Sequence, residues 1–221
     1  MPPLLNIGCL HTAKSNIAVF EAARRALGLD DVMLKHRVRG DLLAAAEKAG
    51  GLTPEIIERT AAELVALAKG LDGVVLTCST LGPAAAVAAA QLAAPILRTD
   101  SALAAEAVRG GGMVIVLCAA GTTIGPTRAL FEEAAVATGA TVEVRLVPGA
   151  WDLFRAGRHN EYLHIIAEAA DLAAAEGPVT VVLAQASMAE AAPLAASRPL
   201  TSPQAGVAAI VAAVQAAAKS S

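Results

Sequence analysis

Three adjacent residues, Cys78, Ser79 and Thr80, place a thiol and two hydroxyls side by side. They follow an apolar run, Val74 to Thr77, and precede a helical pattern that opens at Pro83. A thiol at a strand end ahead of a helix is expected to have its thiolate favoured by the helix N-terminus. Such a thiolate removes a carbon-bound proton or attacks an electrophile. The hydroxyls and backbone amides beside it suit a substrate carboxylate and the enolate-like charge that develops as the proton leaves. His11, closing the first apolar run, is a candidate general acid, substrate hydrogen-bond donor or structural cap. Thr122 and Thr123 precede a helix expected to start near Pro126, where they would contact a carboxylate or cap the helix. For Ser187 capping is the stronger expectation. Cys9 and Cys118 lie within or at the end of apolar strands and read as core residues.

The elements that must position these groups alternate between short β-rich runs and longer helical patterns, the signature of βα units on a parallel sheet. Strands are predicted at 4–10, 32–38, 74–77, 113–118, 141–146 and 179–184. Helices are predicted at 16–27, 54–69, 83–92, 101–109, 126–138, 161–175 and 203–218. The pattern then repeats itself. VVLTCSTLGPAA from Val74 has a counterpart in VVLAQASMAEAA from Val181, FEAA at Phe20 in FEEAA at Phe131, and LRTDSALAAEA from Leu97 in LTSPQAGVAA from Leu200. Three pairs in one order suggest a duplicated half: an α/β protein of two pseudo-symmetric lobes, 1–98 with 201–221 and 99–200. Each lobe would be a mainly parallel sheet flanked by helices, with the site expected in the cleft where strand C-termini and helix N-termini converge. The loops expected there include Leu10-His11-Thr12, Cys78-Ser79-Thr80, Gly121-Thr122-Thr123 and Gln185-Ala186-Ser187, none with a carboxylate or lysine.

Composition excludes several classes. The 221 residues are 56% hydrophobic but only 2% aromatic, because alanine supplies much of the apolar total. The longest uncharged stretch, Gly73 to Leu97, is broken by Pro83 and Pro95, so no membrane span is expected. A net charge of −3 without a basic cluster disfavours nucleic acid as a partner. Three well-separated cysteines form no disulfide framework, and neither they nor the four histidines show metal-ligand spacing, so no metal is expected. The glycine triplet at Gly110 precedes a strand rather than following one, and no phosphate-loop or nucleotide fingerprint is present, so no cofactor is expected. MPPLLNIGCLHTAK lacks the form of a signal peptide, and a cytoplasmic setting is expected. Arg37, Arg39, Arg98 and Arg155 are candidate partners for a second carboxylate, with a solvated surface position the stronger expectation for each.

Six segments, IGCLHTAKSN, GVVLTCSTLGPAA, PILRTDSALAAEAV, VIVLCAAGTTIGPTRALFEEAA, VVLAQASMAEAA and PLTSPQAGVAA, span nearly the whole chain. Together they resemble the aspartate/glutamate/hydantoin racemase superfamily. The resemblance implies two α/β lobes around a cleft, no cofactor, a small carboxylate substrate and often a homodimer or higher homo-oligomer. Racemising members are implied to use one cysteine per lobe on opposite faces of the α-carbon. Cys78 matches the first, with Ser79 and Thr80 as its carboxylate-holding neighbours. The second position is Gln185, followed by Ala186 and Ser187. Glutamine has no titratable proton, so thiol-to-thiol exchange is unavailable. The resemblance leaves an isomerase of the racemase type with His11 or a water as the second acid, or a one-cysteine decarboxylase or diacid isomerase. A non-catalytic binding protein for a small carboxylate is the alternative outside enzymes.

Overall fold

The computed structural model describes residues 4–220. Element order is β1 (Leu5–His11), α1 (Asn16–Ala26), β2 (Val32–Val38), α2 (Gly40–Lys48), α3 (Pro54–Ala68), β3 (Gly73–Leu76), α4 (Ala84–Ala89), β4 (Ile96–Arg98) and α5 (Thr99–Val108). The chain continues through β5 (Met113–Cys118), α6 (Gly121–Ala135), β6 (Thr141–Leu146), α7 (Ala150–Arg155), α8 (His159–Ala174) and β7 (Val179–Leu183). A 3-10 helix (Ala186–Leu194), β8 (Leu200–Thr201) and α9 (Ser202–Ser220) complete it. Two compact units result among the described residues, 4–99 with 203–220, and 100–202.

Each unit holds one four-stranded, all-parallel sheet, in the order β2-β1-β3-β4 in the first and β6-β5-β7-β8 in the second. The first sheet is covered on both faces. On one, α3 buries Ile56, Thr60, Ala61, Leu64 and Leu67, a stripe at helical spacing, and is opened by Thr53, whose hydroxyl accepts from the Ile56 N–H ahead of Pro54. A side chain at Gly8 would stand 3.0 Å from Leu67 Cγ, so the bare backbone there lets α3 approach. On the other face α9 lies so close that a Cβ at Gly73 would meet Ile210 and Val214. In the second unit, α8 buries Tyr162, Leu163, Ile166, Ala167, Ala170 and Ala173 against Ile115 and Leu117 of β5. Alanine supplies part of the buried helix faces, among them Ala61 and Ala68 of α3 and Ala167, Ala170 and Ala173 of α8.

The repeat expected from sequence is present in the topology. Leu10 pairs with Leu76 as Leu117 pairs with Leu183. One residue beyond each pair, Thr77 N–H donates to Leu10 O and Ala184 N–H to Leu117 O. Phe20 and Phe131 are both fully buried, on α1 and α6. Boundaries differ from expectation in physical detail. β4 and β8, only 3 and 2 residues long, carry too few side chains to show a period. α2 and α7 fell outside the predicted helices, being short and opened by glycine and alanine. α6 starts at Gly121 and runs through Pro126, so Thr122 and Thr123 sit in its first turn rather than ahead of it. The helix after Cys78 is cut to 6 residues, and the one after Gln185 is a 3-10 helix.

Candidate active site

In the first unit, Cys78 lies two residues beyond β3, the fully buried strand GVVL, and is 9% exposed. Ser79 and Thr80 are buried beside it, and Gly82 N–H donates to Ser79 O, closing a turn. The short α4 begins only at Ala84, so the full helix dipole expected behind Cys78 is not built there. Arg98, expected on the solvated surface, is instead half-buried at the end of β4, its guanidinium packed so closely over Gly82 that a Cβ there would stand 2.4 Å from it and force the arginine to shift. A permanent cation is thereby brought to the loop that follows Cys78. Arg37 and Arg39 are engaged elsewhere, Arg37 with Glu63 at 3.3 Å and Arg39 with Asp41 at 2.7 Å and with Glu63. Arg155 is exposed.

His11 is completely buried. Its Nδ1 meets Thr77 Oγ1 at 2.9 Å and its Nε2 meets His36 Nδ1 at 2.9 Å, while its ring packs edge-on against Phe20. Burial, with the neighbouring His36 adding to it, lowers its pKa to about 3, so the ring is neutral at physiological pH. Beyond it, His36 Nε2 meets Glu21 Oε1 at 3.2 Å. Burial raises the Glu21 carboxyl, but hydrogen bonds and charge from His36 and Arg24 outweigh it and hold the group below its usual range. Although the cysteines and histidines show no metal-ligand spacing along the chain, Cys9, His11 and His36 bring one ligand atom each within 4.8 Å of one another. Linear spacing hid this cluster. Its signal is alternation, which puts Cys9 and His11 on one face of β1, combined with the parallel register that sets His36 opposite Cys9.

The second unit treats the equivalent position differently. The Gln185 side-chain carbonyl accepts from two consecutive backbone N–H groups, Ala119 at 2.6 Å and Ala120 at 3.0 Å, just ahead of α6. Ala186 is buried beside it, Thr123 is buried in the first turn of α6 and Thr122 is half-buried. Ser187 does not cap the 3-10 helix as expected; its hydroxyl pairs with the buried Tyr162 hydroxyl at 2.8 Å, a partner that sequence reading missed. Cys118 is wholly buried, and burial pushes its thiol up to about 12. None of the three cysteines is in a disulfide. Among the described residues, no helix is long and apolar enough to cross a membrane.

No protein-family model matches the sequence, and no curated protein matches it. Solved structures do match in fold. Allantoin racemase from Pseudomonas fluorescens superposes with a TM-score of 0.68 over 96% of this chain and 92% of its own, at 15% identity. Aspartate racemase from Picrophilus torridus gives 0.68 over 96% and 94%, at 12% identity. A glutamate racemase from Bacillus anthracis gives 0.65 over 96% and 82%, at 16% identity. The chain therefore has the two-unit α/β fold of the aspartate/glutamate racemases.

Proposed function

We propose that this chain is an enzyme of the racemase type that makes and breaks a carbon–hydrogen bond beside the carboxylate of a small organic acid. The observation that carries the reading is the position of Cys78. It lies two residues past the end of the central-strand register and in no disulfide, in a chain similar in fold to racemases of glutamate, aspartate and allantoin. In this reading Cys78 exchanges the proton, and Ser79 and Thr80 with the backbone amides of their turn hold the carboxylate and take up the developing enolate charge. Arg98, packed over Gly82, suits a second anionic group on the substrate, which favours a dicarboxylate.

One observation favours a narrower version. Gln185 carries no titratable proton, and its carbonyl is already engaged by two backbone amides. A reaction in which one thiol serves one face of the substrate, such as decarboxylation or isomerisation of an unsaturated diacid, therefore fits better than exchange between two thiols. The test is incubation in deuterated water with a panel of amino acids, 2-aryl acids and dicarboxylates. Deuterium at an α-carbon, abolished by Cys78→Ala, is the expected result, and retained handedness in the product would mark the one-sided version. Measurable binding with no labelling, decarboxylation or isomerisation would make the chain a binding protein and end the enzyme reading.

A further inference from the structure

We propose that Cys9, His11 and His36 form a binding site for one borderline-soft transition-metal cation, of which Zn²⁺ is the natural occupant, pinning the edge strand β2 to β1 and α1. This goes beyond the proposed reaction, which needs no metal. Cys9 Sγ and one ring nitrogen from each histidine lie within 4.8 Å of one another. The donor set, one sulfur and two imidazoles, suits Zn²⁺ and its neighbours and offers nothing to Mg²⁺ or Ca²⁺, which take oxygen.

Hydrogen-bond accounting supplies the second argument. The Thr77 hydroxyl donates to Leu10 O at 3.0 Å, so its oxygen accepts, and His11 Nδ1 carries the proton donated to it. Glu21 is a carboxylate and can only accept, so His36 Nε2 carries the proton donated to it. Each neutral ring then turns its lone pair inward, His11 Nε2 toward His36 Nδ1, at 2.9 Å. Two lone pairs at that distance repel unless a cation stands between them. Either a proton or a metal ion meets that need, and the nearby Cys9 sulfur selects the metal.

The surroundings match those of a metal site. Each histidine has its outer nitrogen fixed by an oxygen: His36 by Glu21, itself held by Arg24 at 3.1 Å, and His11 by Thr77. Such outer partners set the tautomer and aim the ligand nitrogen. On binding, the Cys9 S–H bond breaks, its proton goes to solvent, and a sulfur–metal bond replaces it. The two nitrogens must part to about 3.3 Å to take a tetrahedral ion at ~2.0 Å from each, a few tenths of an ångström from where they stand.

The experiment uses the full chain, stripped with chelator and dialysed, then titrated with Zn²⁺ by calorimetry and with Co²⁺ by absorption. Expected are one ion per chain, a sulfur-to-cobalt charge-transfer band, and a folded-to-unfolded ratio raised about 100-fold at zinc 100 times its Kd. Cys9→Ala should remove the charge-transfer band, and His36→Gln should weaken binding at least tenfold. Glu21→Gln, a half-buried change outside the ligand set, should weaken it about 10–100-fold while keeping the band. No uptake at millimolar metal would overturn the proposal and leave a shared proton between the rings. So would uptake without the sulfur band in the unaltered chain, or affinity unchanged by Glu21→Gln.

Discussion

The two units share a sheet order and a register, yet they finish their strands with opposite chemistry. At the ends of β1 and β3 the first unit places His11, Thr77 and Cys78; at the equivalent positions at the ends of β5 and β7 the second places Cys118, Ala184 and Gln185. In the first, the side chains form a polar chain from Thr77 through His11 and His36 to Glu21. In the second, the Gln185 side chain at the loop turns onto the backbone ahead of α6. The parallel scaffold constrains where a loop begins, not what it carries. One half can keep an ionisable group while the other turns the same position into a structural hydrogen bond.

The sharpest test of that contrast is catalytic. Cys78→Ala should lower turnover by about 10²–10⁴-fold, the range for loss of a proton-transferring group, whereas Gln185→Ala should leave proton exchange at the substrate measurable. Equal losses in deuterium-exchange rate would break the division of roles. A second contrast is between thiols. With burial holding its pKa near 12, Cys118 has about 10³-fold less thiolate than an ordinary thiol at pH 8. Its alkylation should be slow and should rise about tenfold per pH unit up to that value, while Cys78, the more exposed thiol, labels first; mass mapping of the labelled chain reads this directly.

Stability changes probe the shared scaffold. Phe20→Ala and Phe131→Ala empty matching buried positions and should each cost about 3–5 kcal/mol by urea unfolding. A large inequality would mean that the two halves no longer pack alike. Smaller again, Gln185→Ala leaves two backbone N–H groups without their acceptor and should cost about 1–3 kcal/mol. Gln185→Glu keeps an acceptor there and should cost less, and a loss as large as that of the alanine variant would show that the amide is held by something other than those two hydrogen bonds.

Much of this architecture was legible in the sequence because period-two and helical patterns report burial directly. β2, β5 and β6 were placed at their observed limits, and the internal likeness of Val74 and Val181 foretold the repeated sheet. What stayed hidden depends on contacts between distant segments. His36 looks like an ordinary polar position until pairing sets it opposite Cys9. The Gln185 hydrogen bonds join residues 66 and 65 apart, and Ser187 could not be tied to Tyr162 without the packing of α8 on the 3-10 helix. Pro126 misplaced the start of α6 because proline favours a first helical position, yet here it lies inside the helix.

The chain leaves the first unit at Thr99 and returns to it at Pro203. During synthesis, β3 therefore leaves the ribosome more than a hundred residues before α9, the helix that covers Gly73. At usual elongation rates that interval is on the order of ten seconds. The second unit, drawn from one continuous stretch, can be complete while the first still shows a bare sheet face, so the half that starts first on the ribosome is the half that closes last.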